Sequence, residues 1–160
     1  MPPSEKRTKL QALFAVFEQF HESTKEIPDN TLGLLRGSWT SIKGNYLNPP
    51  PGVKPSQLAG GLEQGLLELP MLVGAIGAPY RAKVAQALHA AIESQYPAFL
   101  ATQQARMAKI RNRGRISTES EFMLVRHAID VAEGQIGEPG ALPEMYGLID
   151  VYEARAGRVV

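Results

Sequence analysis

The first strong pattern falls at Leu10, Leu13, Phe14, Phe17 and His21, where large side chains recur at steps of three and four. That period lines them along one face of an α-helix and predicts an amphipathic segment ended by Pro28. Asp29, Asn30 and Thr31 then offer capping oxygens to a second helix bearing Leu32, Leu35, Trp39, Ile42 and Tyr46, weakened by Gly33, Gly37 and Gly44. Residues 48–56 read NPPPGVKPS, and consecutive prolines there forbid helix and sheet pairing and predict a loop.

Ser56 is placed to cap a third helix with Leu58, Leu62, Leu66 and Leu69 inward, closed by Pro70. Glycines at 60, 61 and 65 leave that helix dependent on packing. After a turn over 74–78, Pro79 suits a first helical position, and Tyr80, Val84, Ala87, Leu88, Ala91 and Ile92 form the next apolar face. Pro97 interrupts the pattern. Phe99, Leu100, Gln103, Met107 and Ile110 resume it until Gly114. Thr118 and Glu121 then spell a capping box ahead of Phe122, Val125, Ile129 and Ala132. A tight loop over 136–141 leads to a last helix from Pro143 with Met145, Leu148, Ile149 and Tyr152 inward.

No segment alternates as a strand does, and no internal repeat is present. The expected fold is all-α: one domain over 1–160, a bundle of about six or seven helices, with a helical hairpin over 118–156. Its expected core includes Leu13, Phe14, Phe17, Trp39, Leu62, Leu88, Phe122, Val125, Ile129 and Leu148.

The 160-residue length suits one core, and 44% hydrophobic with 21% charged residues excludes a disordered or collagen-like chain. With no cysteine, disulfides, thiolate ligands and a cysteine nucleophile are excluded. The most apolar run, 66–79, contains Glu68, Pro70 and two glycines and is shorter than the roughly 20 residues a membrane span needs. A soluble, cytoplasmic protein is therefore expected.

Candidate chemistry is sparse. Glu18 and His21 form one Glu-x-x-His pair, but a di-iron bundle needs two, and His89 and His127 are preceded at that spacing by Gln86 and Leu124. Glu18 is read as facing water, His21 as bordering the core. His127 with Asp130 has the spacing of a base held by a carboxylate, yet Arg126 and Asp130 read more simply as an exposed ion-paired face. There is no nucleophile elbow, no phosphate-binding loop and no dinucleotide glycine fingerprint. The expected chain has no cofactor, no metal and no catalytic activity; a site assembled from distant residues would show itself as a pocket of convergent polar groups.

Net charge is only +1, but it is unevenly distributed. Residues 1–115 hold 14 basic and 8 acidic side chains, and the remainder holds 3 and 8. Arg106, Lys109, Arg111, Arg113 and Arg115 occur with no acid among them. This segment is a candidate partner-facing basic patch, centred on Arg106, Lys109, Arg111 and Arg113. Asp130, Glu133, Glu144 and Asp150 are the alternative acidic patch. The simpler account is that the basic helix end offsets its own dipole and pairs with the acidic hairpin. No aromatic residue lies between 100 and 121 to stack on bases, which disfavours nucleic acid. The function expected is a non-catalytic protein-binding module, by analogy a small bacterial inhibitor of the immunity kind. A nucleic-acid-associated protein using 106–115 is the alternative, and self-association is compatible with either.

Overall fold

Thr8 opens the first helix by accepting the Gln11 N–H at 3.1 Å, while the Gln11 side chain accepts the Thr8 N–H at 2.9 Å. The computed structural model describes residues 7–134 and 140–157. Among them the chain forms only helices: α1 Lys9–Ser23, α2 Asn30–Ile42, α3 Gly44–Leu47, α4 Pro55–Gly74, α5 Ala78–Gln95, α6 Pro97–Arg113, α7 Glu119–Glu133 and α8 Leu142–Arg155. Apart from the four residues of α3, seven helices build an all-α bundle.

Boundaries differ from the sequence reading where side chains outside the apolar period decide them. Helix α1 stops at Ser23, before Pro28; the buried Thr24 ends it with both its N–H and its hydroxyl donating to the Phe20 carbonyl, at 3.2 and 2.9 Å. Asp29 caps α2 by accepting the Leu32 N–H. The second predicted helix is split at Lys43. Helix α4 begins at Pro55, one residue before the expected Ser56 cap, and the Gln57 side chain accepts the Lys54 N–H. It runs through Pro70 to Gly74. An interior proline removes a hydrogen bond and costs about 3 kcal/mol, and burial of Leu66, Leu69 and Val73 around it opposes that cost. Gly114, at φ +80°, closes α6 in the left-handed conformation that glycine adopts without strain. The predicted loop over 136–141 lies largely outside the described residues.

Helices α4 and α5 pack on each other and each packs on both α1 and α7, and α8 lies along α7. One apolar cluster joins α1, α2, α4 and α5, and reaches Phe99 and Val131. A second joins Ile110 and Ile116 to α7 and α8. Nine of the ten expected core residues are buried; Phe14 is half-buried, its ring 5.2 Å from that of Trp39. Trp39 also stacks on Phe17 and Tyr46, and its Nε1 donates to Glu18 at 3.1 Å.

Candidate functional site

Helix α6 is held at its ends. Phe99 is buried in the first cluster and Ile110 in the second, and no residue between them is fully buried. Its middle presents Leu100, Gln103 and Met107, half-buried, towards α5 and α7. Two cavities of about 440 and 490 Å³ open beneath it. His89, Leu100, Gln103, Leu124 and His127 line both, so they are neighbouring chambers of one cleft. The first chamber extends under α4 to Leu67 and Met71, whose side chains are exposed at its mouth. The second extends to Met145 at the start of α8.

The cleft is mainly apolar, with a few polar groups from separate elements. Arg106 donates to Gln103 Oε1 and to Ser120 Oγ, each at 3.0 Å. His127 Nδ1 is sealed from solvent without a hydrogen-bond partner. Burial, with a smaller contribution from His89, pushes the His127 pKa down to about 4. Glu68, on the α4 side, accepts from Gln64 at 2.9 Å.

The predicted surface patches are partly consumed by contacts within the chain. Arg111 pairs with Glu144 at 2.9 Å, and Arg113 pairs with Glu121 while donating to the Arg115 carbonyl. Arg106 is turned to Gln103 and Ser120, which leaves Lys109 as the exposed member without an ion pair among the described residues. In the acidic set, Glu133 accepts from the Tyr146 hydroxyl, and Asp150 is exposed. Asp130 corrects the reading of an exposed face. It is buried, with Arg81 Nε 3.5 Å away, and burial raises its pKa. The His127–Asp130 dyad, which the spacing allowed but the sequence reading disfavoured, does not form, since Asp130 faces Arg81 and Nδ1 of His127 is unpartnered.

Glu18 is not simply a solvated carboxylate either. Burial raises its pKa, but hydrogen bonds from Trp39 and Lys43 outweigh that and hold it below the usual range. Beside it, His21 is buried against Trp39 with Nδ1 unpartnered, and desolvation lowers its pKa to about 4.

The cleft brings together His89, Gln103, Arg106 and His127, of which the sequence reading singled out Arg106 and, in another role, His127. A usable signal was the row Leu124, His127 and Val131, which places an imidazole among apolar neighbours on one face of α7. No group of three or more His, Cys, Asp or Glu able to hold a metal occurs among the described residues. No helix there is long and apolar enough to cross a membrane. Comparison with protein-family models, curated proteins and solved structures finds no match.

Proposed function

We propose that this chain is a binding protein with no chemistry of its own, and that it recognises another protein at the mouth of the cleft between α4 and α6. The observation that carries this reading is the pair Leu67 and Met71, exposed at the lip of an apolar cavity whose opposite lip holds Arg106. Apolar groups that continue from a surface into a cleft suit the anchoring side chains of a partner. Lys109, exposed farther along α6, adds a cation that favours acidic flanks on that partner. The internal pairing of Arg111 and Arg113 weighs against a phosphate-tracking surface over 106–115 and against an inhibitor that works through charge alone.

A catalytic reading gains one observation, the two imidazoles in the cleft. It lacks the group that would hold His127 in a working orientation, because Nδ1 has no partner. Partner isolation from the native host tests the binding reading. Leu67→Glu with Met71→Glu should remove the partner, whereas Asp150→Lys should leave it bound. Loss on Asp150→Lys with retention in the double variant would overturn the proposal.

A further inference from the structure

The interior of the cleft has properties that an external protein contact does not use. Its two chambers, about 440 and 490 Å³, fall within the roughly 300–1,000 Å³ typical of small-molecule sites. They lie under a helix whose own middle contributes no fully buried side chain. Their walls are chiefly aliphatic, with Leu66 and Ile92 in one chamber and Val131 and Met145 in the other.

The polar groups on the α6 and α7 side are donors. Gln103 has its carbonyl oxygen occupied by Arg106, so its amide nitrogen is the end left to donate. Arg106 keeps guanidinium N–H groups beyond its bonds to Gln103 and Ser120. His127 is neutral near pH 7 and carries one N–H and one lone pair. Nδ1 is unpartnered in either tautomer, and a buried orphan acceptor is tolerated more often than a buried orphan N–H, which assigns the proton to Nε2 and the lone pair to the sealed Nδ1. The ring thereby offers Nε2–H to the cleft that it lines. His89 lines the same wall, and no hydrogen bond to it occurs among the described residues. The lining carboxylate, Glu68, stands on α4 and is exposed, across the chamber from these donors.

We propose that the cleft beneath α6 binds a small molecule with an apolar body and a carboxylate head, the body lying between the chambers and the head taken by Arg106, Gln103 and His127. A carboxylate accepts from a guanidinium and from neutral N–H donors together, which matches this set. The site goes beyond the protein-partner reading and does not depend on it, since it is complete within one chain.

Calorimetric titration of the isolated full chain with octanoate, decanoate and dodecanoate tests the proposal, with methyl decanoate as the neutral control. At least one of the acids should bind saturably at one site. Decanoate should bind about tenfold or more tightly than its methyl ester, the factor that one charge-assisted hydrogen bond supplies. Arg106→Gln should erase that preference. Met107→Trp, which fills one chamber from the half-buried face of α6, should abolish binding while the thermal midpoint shows a folded chain. Gln103→Leu gives a second variant should Met107→Trp fail to fold, and it should weaken decanoate and spare the ester. Failure of all three acids to bind, equal affinity for acid and ester, decanoate binding unchanged in a folded Met107→Trp chain, or decanoate binding unchanged in Gln103→Leu would overturn it.

Discussion

His21 and His127 are neutral imidazoles placed where a charge is unwelcome, and this makes the fold sensitive to acid. Each has its pKa lowered from 6.5 to about 4 by burial first, with the positive groups Arg36 and Lys43 adding at His21 and His89 adding at His127. The unfolded chain takes up these protons at higher pH than the folded one, so the stability they confer is complete above about pH 6.5 and is lost as pH falls towards 4. A shift of that size corresponds to about 3 kcal/mol at each site. Denaturant unfolding should therefore show a steep loss of stability over that window, and His21→Gln with His127→Leu should flatten it. A pH-independent midpoint in the natural chain would contradict this. Thr118 acts through one bond, accepting the Glu121 N–H at 3.1 Å. The reciprocal half differs from the expected capping box, since Glu121 accepts from the Ser117 N–H and from Arg113. Thr118→Ala should cost about 1 kcal/mol in urea titration without affecting ligand or partner binding.

The apolar period found every helix longer than one turn, because burial of a continuous stripe is what makes each one stable. It misplaced ends and missed core residues that belong to no stripe. Ile76 and Ile116 are almost fully buried, yet they sit in the connections before α5 and α7, where no period points to them. Pro70 was read as a stop from its local chemistry, and the packing of Leu69 and Val73 overrides that preference. The glycines of α4 divide in the same way. An added Cβ at Gly65 would lie 3.7 Å from Phe17, an ordinary contact, while at Gly61 it would meet nothing within 4 Å. Close helix approach does not require Gly61, so Gly61→Ala should stabilise the chain by about 1 kcal/mol through helix propensity. A destabilised variant in thermal or urea unfolding would show that the α4 surface is engaged at that point.

Two apolar clusters, one centred on α1, α4 and α5 and the other on α7 and α8, are bridged by α6, and the cleft lies beneath that bridge. The sequence carried the ends of the bridge, Phe99 and Ile110, but not the space between them, because a void depends on how the surrounding helices diverge and leaves no residue pattern of its own. It carried the segregation of charge as well. The folded chain then uses much of that charge internally, tying α6 to α7 and α8 through Arg113–Glu121 and Arg111–Glu144. Such exposed pairs are worth at most about 1 kcal/mol each, so their main effect is to leave less unpaired charge on the surface. In the proposed reading, recognition falls to the apolar lip at Leu67 and Met71, which are exposed at the mouth of the cleft. Site-specific photocrosslinking in the native host tests that claim most directly, with a photoreactive side chain placed in turn at Met71 and at Asp150. The account predicts a discrete protein adduct from Met71 that disappears with Leu67→Glu and is absent from Asp150; an adduct from Asp150 alone, or from neither position, would contradict it.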